Sequence, residues 1–195
     1  MNPQYSKTHF LHSTLKFQDI PDTGWEVAFA GRSNAGKSSA INAITNQRAL
    51  ARISKTPGRT QTLVFFQVDE TRRLVDLPGY GFAQAPGPLQ QRWRTTLEGY
   101  FRQRRCLAGV FLIMDIRHPL TVMDLHMINW CKHYRRPVHV LLTKADKLNY
   151  GSAQNTLLKV QQMLEPYALT CQLFSATKKT GIEQAHAMLD RWLEV

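Results

Sequence analysis

The run Gly31-Arg-Ser-Asn-Ala-Gly-Lys-Ser38 completes a GxxxxGK[ST] pattern. Glycine lacks a Cβ, so Gly31 and Gly36 let the backbone turn tightly enough to aim consecutive N–H groups at phosphate oxygens. Lys37 supplies a cation that reaches the β- and γ-phosphates, and the Ser38 hydroxyl is a Mg²⁺ ligand. An apolar run, Trp25 to Ala30, precedes the loop, and Ser38 to Ile44 reads as a helix after it. A helix N-terminus carries partial positive charge and favours the same anion.

Further groups along the chain suit the rest of a nucleotide. Asp76-Leu-Pro-Gly79 follows a second apolar run and places a carboxylate where it can hold Mg²⁺ through water, with a glycine, Gly79, whose N–H can sense the γ-phosphate. Thr143-Lys-Ala-Asp146 ends another strand candidate, at the carboxyl edge where open α/β sheets bind ligands. Asp146 can accept from both N1–H and the 2-amino group of guanine, a donor pair adenine lacks, while Lys144 would lie along the base. Ser175-Ala-Thr177 ends the last strand candidate, where the Ala176 N–H can meet the guanine carbonyl.

These groups need a scaffold that brings strand ends together. Strand-like runs occur at 26–30, 62–68, 73–77, 109–116, 138–143 and 171–175, and helical patterns at 37–45, 89–104, 123–133, 155–165 and 181–193. The alternation predicts an α/β domain: a mainly parallel sheet of six strands with helices on both faces. The short link from Val68 to Arg73 allows only a hairpin, which makes one edge strand antiparallel. In the last helix Ile182, Ala185, Leu189, Trp192 and Leu193 share a face, and Thr180-x-x-Glu183 has the form of a capping box. Residues 1–22 show weak periodicity and read as a partly ordered N-terminal arm, with 23–195 as the nucleotide-binding domain.

At 195 residues and 43% hydrophobic content the chain suffices for one domain with a core and is short for two. No stretch approaches a bilayer-spanning length, and the start lacks a signal-type apolar core, so no membrane partner and a cytoplasmic location are expected. Cys106, Cys131 and Cys171 form no CxxC pair and read as reduced thiols. The histidines have no metal-site spacing. Twenty-five Lys plus Arg against 14 Asp plus Glu leave a formal charge of +11, which points toward nucleic acid.

In order and spacing the phosphate, Asp76, Thr143 and Ser175 segments resemble the G-boxes of translation-factor-class GTPases. Together with Glu26-Val-Ala-Phe-Ala30, Thr56-Pro-Gly-Arg-Thr-Gln61, Asp76-Leu-Pro-Gly-Tyr-Gly81, Asp115-Ile-Arg-His-Pro119 and Thr143-Lys-Ala-Asp-Lys-Leu148, they resemble the bacterial EngB family, also called YihA or YsxC. The resemblance implies a three-layer, Ras-like P-loop GTPase fold that binds GTP and GDP with Mg²⁺ and acts in assembly of the large ribosomal subunit. It further implies roles in growth and in division septum formation.

On this basis the residues expected at the nucleotide are Gly31, Arg32, Ser33, Asn34, Ala35, Gly36, Lys37, Ser38, Ser39, Gly58, Arg59, Thr60, Asp76, Leu77, Pro78, Gly79, Thr143, Lys144, Ala145, Asp146, Ser175, Ala176 and Thr177. Ser38, Thr60 and Asp76 would organise Mg²⁺. Lys37, Thr60 and Asn34 are the candidate catalytic residues. Residues 47–61 read as a first switch, with Thr60 as its sensing hydroxyl on the family pattern, and Gly79 onward as a second. Many small GTPases place a water-orienting glutamine directly after DxxG, whereas this chain has Tyr80, so slow intrinsic hydrolysis is expected. Asn34 has two readings: a ligand for a K⁺ ion set against the phosphates, as in related families, or a residue that satisfies a local turn.

The positive charge gathers beside these switches. Arg48, Arg52, Lys55 and Arg59 lie in or near the first; Arg92, Arg94, Arg102, Arg104 and Arg105 crowd the helix after the second. Both groups are candidate contacts to rRNA, with ribosomal proteins as further partners, for a chain expected to be a monomer. Two other readings stay open: a tRNA-directed GTPase, and an RNA-binding module whose nucleotide is structural.

Overall fold

In the strand β2 (Trp25–Gly31), Val27 and Phe29 alternate with Ala28 and Ala30, and all four are buried. A strand with both faces covered needs a layer of helices on each side, and this alternation divides the core in two. Ala28 and Ala30 belong to an apolar cluster with Leu97, Tyr100 and Phe101 of α2 (Gly87–Gln103), Met127 and Ile128 of α3 (Val122–His133), and Val160 and Leu164 of α4 (Tyr150–Leu164). Val27 and Phe29 join Ile41 and Ile44 of α1 (Lys37–Ile44) and Ile182, Ala185 and Leu189 of α5 (Ile182–Leu193).

The computed structural model describes residues 2–52, 62–80 and 87–195, and only the backbone of residues 87–90, 92 and 93. Thr60, Gly58, Arg59 and Lys55, and the side chain of Arg92, lie outside that description. The remaining strands are β1 (His9–Thr14), β3 (Leu63–Gln67), β4 (Arg72–Asp76), β5 (Leu107–Asp115), β6 (Val138–Thr143) and β7 (Thr170–Leu173), and the sheet runs β1-β3-β4-β2-β5-β6-β7. Every pairing from β4 to β7 is parallel; β3 runs antiparallel to both β4 and β1.

The sheet therefore has seven strands where the sequence predicted six, and the antiparallel strand is interior rather than at the edge. The added strand comes from the segment read as a partly ordered arm. His9 registers with Gln67 and Thr14 with Leu63, while upstream Tyr5 is fully buried and donates to Asp190 Oδ1 at 2.6 Å. Two helix ends also differ from expectation. Thr180 forms no capping box; its N–H and C=O pair with those of Ser175, and the N-cap of α5 is Gly181. α2 begins at Gly87, two residues before the predicted 89, with Pro88 in its first turn, a place where its missing N–H leaves no helix bond broken.

Candidate nucleotide site

Among the described residues, the phosphate and base motifs meet at the C-terminal edge of the parallel strands. β2 ends in Gly31, where a Cβ would stand 2.8 Å from the Ile113 carbonyl oxygen, so this strand can pass β5 closely only with glycine there. The loop returns through Asn34 (φ 64°) and Gly36 (φ 99°), both in the left-handed region, and Gly36 opens α1 without a side-chain cap. The first-turn N–H groups of α1 thus face the loop without a side-chain acceptor, as an anion requires. Ala35 is buried, and its carbonyl accepts from the Thr143 hydroxyl, which ties the loop to the end of β6.

Lys37 and Asp76 form an ion pair at the mouth of the loop, with both side chains largely buried. Ser38 and Ser39 follow at the start of α1, half-buried. A hydroxyl and a carboxylate are hard oxygen donors, and no cluster of three or more His, Cys, Asp or Glu suited to a metal occurs among the described residues. That set fits Mg²⁺, which keeps waters and takes its other oxygens from phosphates rather than from a protein cage. Leu77 is buried and bonds the Phe29 carbonyl through its N–H at 3.0 Å, so its part in the Asp76–Gly79 segment is to hold the strand end.

At the base side a cavity of about 230 Å³ is lined by Gly36, Ser39, Thr143, Lys144, Asp146 and Thr177, together with Phe174, Ala176 and Lys147. The Ser175 hydroxyl donates to Asp146 Oδ1 at 2.6 Å and itself accepts from the Lys178 N–H at 3.1 Å. The hydroxyl bond holds the Asp146 carboxyl below the ordinary carboxylate range. Lys144, in the left-handed region, sends its ammonium to the Asn34 carbonyl oxygen at 2.7 Å and to Asp115 Oδ2 at 2.9 Å. Asp115 also takes two bonds from the Arg117 guanidinium, at 3.0 and 2.7 Å, and one from the Arg117 backbone N–H at 3.0 Å. Partial burial opposes its ionisation, but the bonds from Arg117 and Lys144 outweigh that and hold the carboxyl far below its usual range. Lys144 thereby links the base pocket to the phosphate loop.

A P-loop whose lysine faces a strand-end aspartate, with a second aspartate and a lysine walling a base pocket, is the arrangement of a P-loop GTPase. The comparisons agree. The family model described as a 50S ribosome-binding GTPase matches residues 26–144. Across 190 residues the chain is 54% identical to the probable GTP-binding protein EngB of Methylococcus capsulatus, covering 95% of this chain and 90% of that one. The chain belongs to the EngB family of GTPases. A crystal structure of a probable GTP-binding protein EngB superposes with a TM-score of 0.69 at 21% identity, over 87% of this chain and 98% of the other. Era in complex with MgGDPNP and a 16S rRNA fragment superposes with a TM-score of 0.67 at 19% identity, over 87% of this chain and 57% of Era. At such identities these structures support the fold alone.

Within this EngB-family site two side chains turn toward Asp124. Tyr80 is buried beneath the site, its hydroxyl donating to Asp124 Oδ1 at 2.8 Å, and burial followed by the Asp124 charge pushes its phenol well above the ordinary range. Arg32 turns the same way, with Nε 3.7 Å from Asp124 Oδ2 and a bond to the His118 carbonyl at 3.2 Å. Asp124 itself caps α3 reciprocally with Thr121. Asp115 and Asp124 were the residues sequence reasoning missed: the first stood inside a quoted motif without a role, and the second had only the Thr121-x-x-Asp124 spacing as a signal.

The expected RNA contacts divide. Arg48, Arg52, Arg94, Arg102 and Arg105 are exposed. Arg104 is not: it is 1% exposed, bonds Glu26 through Nε at 2.8 Å, and donates to the carbonyls of Phe17, Ile20 and Pro21. A guanidinium fully engaged inside the protein has no donor left for phosphate, so Arg104 leaves the candidate interface. Arg102 and Arg105 flank the end of α2, just before β5 begins, and so stand at the sheet edge opposite the nucleotide site.

Proposed function

We propose that this chain is a nucleotide-controlled assembly factor for the large ribosomal subunit, acting in the cytoplasm as a monomer, with growth and septum formation dependent on it. The observation that carries this reading is the match of residues 26–144 to a family described as 50S ribosome-binding. The +11 charge and the exposed Arg48 and Arg52, which follow the C-terminal end of α1, support RNA as part of the target.

In the reaction proposed, water attacks the γ-phosphorus of GTP and the bond to the β-phosphate oxygen breaks, leaving GDP and phosphate. Asp146 and Lys144 hold the guanine, and the Ala176 N–H serves its carbonyl. The loop N–H groups and Lys37 carry the phosphate charge, with Lys37 moving from Asp76 to the phosphates. Ser38, Thr60 and Asp76, the last through water, would hold Mg²⁺, which when bound neutralises charge on the β- and γ-oxygens. Tyr80 is engaged with Asp124 and orients no water, which supports slow intrinsic turnover. Asn34 is exposed on the loop, so its carboxamide is free to serve a K⁺ ion; its left-handed φ equally suits the turn reading. Turnover in matched potassium and sodium buffers separates the two, equal rates excluding the K⁺ role.

Co-sedimentation with purified large subunits, comparing a non-hydrolysable GTP analogue with GDP across a salt series, tests the function. Analogue-dependent binding that persists at moderate salt is expected. Binding that ignores the nucleotide and falls steeply with salt would reduce the proposal to general attraction of a basic protein for RNA.

A further inference from the structure

β1 is the outer strand of the sheet, and five of its six residues are exposed. Phe10 is 58% exposed, Leu11 37% and the following Leu15 48%, which puts three large apolar side chains in solvent within one short segment. Lys7 and Lys16 flank them, both exposed, and the segment from Asn2 to Gln18 contains no carboxylate. Of the carboxylates at its two ends, Asp69 is paired with Arg72 at 2.8 Å and Asp19 accepts the Thr14 hydroxyl at 2.8 Å; Glu70 is exposed in the turn beyond His9.

A free edge strand invites another strand, but this one is guarded. The ladder to β3 slips between Phe10 and His12, a bulge at Leu11 that spoils the regular row of N–H and C=O groups, and lysines stand at both ends. What β1 offers is therefore its side chains: an aromatic ring and two leucines among cations. That combination suits unpaired bases, which stack on exposed rings while their phosphates meet Lys and Arg. Position reinforces the charge argument. Gln47 donates to the carbonyls of Ser6 at 3.2 Å and Thr8 at 2.6 Å, which sets the start of β1 against the exposed Arg48 and the segment leading to Arg52.

We propose that β1 is a binding surface for single-stranded RNA, with Phe10 as the stacking platform and Lys7, Lys16 and Arg48 as phosphate contacts. The inference deepens the ribosomal reading and rests on it only for the identity of the RNA as ribosomal.

The test is fluorescence anisotropy of a short labelled single-stranded RNA of mixed sequence with the full chain, alongside co-sedimentation with large subunits. Phe10→Ala should weaken the oligonucleotide about tenfold, the effect of losing one stacked base. Lys7→Gln with Lys16→Gln should lower the slope of log K against log salt by about 1.4, two phosphate contacts on a single strand. GTP turnover and melting temperature should stay at the parent values in both variants, because these side chains touch neither the site nor the core. Unchanged RNA affinity in both variants overturns the proposal. So does a parent protein that sediments as a dimer and becomes monomeric with Phe10→Ala, since the surface would then join two copies. Oligonucleotide binding that depends on β1 without any subunit binding would sink the ribosomal reading and leave this surface standing. The reverse pattern, subunit binding indifferent to β1, would do the opposite.

Discussion

Glu26 and Asp146 are both carboxylates served by hydroxyl and cationic partners, at opposite edges of one sheet, and they are used in opposite ways. Glu26 has no exposure; its Oε1 accepts from Arg73 at 3.3 Å, Arg104 Nε at 2.8 Å and the Cys106 thiol at 3.1 Å, while Oε2 accepts the Tyr100 hydroxyl at 3.0 Å. Burial pushes the Tyr100 phenol and the Cys106 thiol well up, so both stay protonated donors. Asp146 takes one strong bond, from Ser175, faces Lys147 at 3.8 Å, and lines the cavity with acceptor capacity to spare. A saturated carboxylate fixes the fold; a carboxylate braced on one side and open on the other can read a ligand.

The largest expected effect is at the closed edge. Glu26→Ala removes the buried carboxylate that Arg104 and Arg73 share, leaving Arg104 only the more exposed Asp22, 3.9 Å from its Nε, and stripping buried guanidinium groups of their main partner is expected to destabilise the fold by about 3–5 kcal/mol, read from urea unfolding. Among molecules still folded, GTP affinity should hold at the parent value, because the network contacts Phe17, Ile20 and Pro21 rather than the nucleotide loops. A fall in affinity in step with stability would show that the two edges are not independent.

At the open edge Asp146→Asn should do the reverse. It removes the acceptor pair proposed for N1–H and the 2-amino group, and a site built to bond such donors discriminates by about 100-fold or more. Calorimetric titration should show that loss for GTP and little preference remaining over ATP, with the unfolding midpoint in urea close to the parent's. Affinity or base preference that survives the substitution would remove guanine reading from Asp146.

These two edges also mark how far the sequence could be read. β6 falls at Val138–Thr143 as predicted, and α1 and α5 within a residue or two, because a buried parallel strand and an amphipathic helix write their burial into local pattern. β1 left no such mark: with both its faces in solvent, no alternation exists, and its place depends on pairing with β3 some fifty residues later. Asp146, Lys144 and Lys37 were legible because their spacing is itself the motif. The partners that hold them were not. Asp115 reaches Lys144 across the ends of β5 and β6, and Glu26 reaches Arg104 across 78 positions, so Arg104 read as one more surface cation. Tyr80 was half legible: its identity gave away the absent glutamine, while its burial against Asp124 needed the fold.

Asp115 offers an intermediate test, because it is a brace for an open-edge residue. Asp115→Asn should weaken GTP and GDP equally, by about tenfold, as expected for one bond to a charged group. If it acts through Lys144, then combining it with Lys144→Ala should add nothing to the loss from Lys144→Ala alone. Additive losses in stopped-flow nucleotide release would mean that Asp115 supports the strand ends generally rather than the lysine.

The smallest effect, and the finest probe of the open carboxylate, is Ser175→Ala. The hydroxyl both orients Asp146 and is the main reason its carboxyl lies below the usual range. Without it GTP affinity at neutral pH should fall only about two- to fivefold, the worth of one modest hydrogen bond. The pH profile carries the sharper signal. A carboxyl whose value is depressed in the folded protein stays ionised below the ordinary carboxylate value near 4, and the binding it supports is lost only as pH falls through the depressed value. Removing Ser175 lets that value rise, so the acid limb of GTP affinity should move to higher pH in the variant. The Ala176 N–H and Lys144 keep their places in this substitution, so a uniform drop at all pH values, with the acid limb unmoved, would show Ser175 to be shaping the loop instead of tuning the carboxylate.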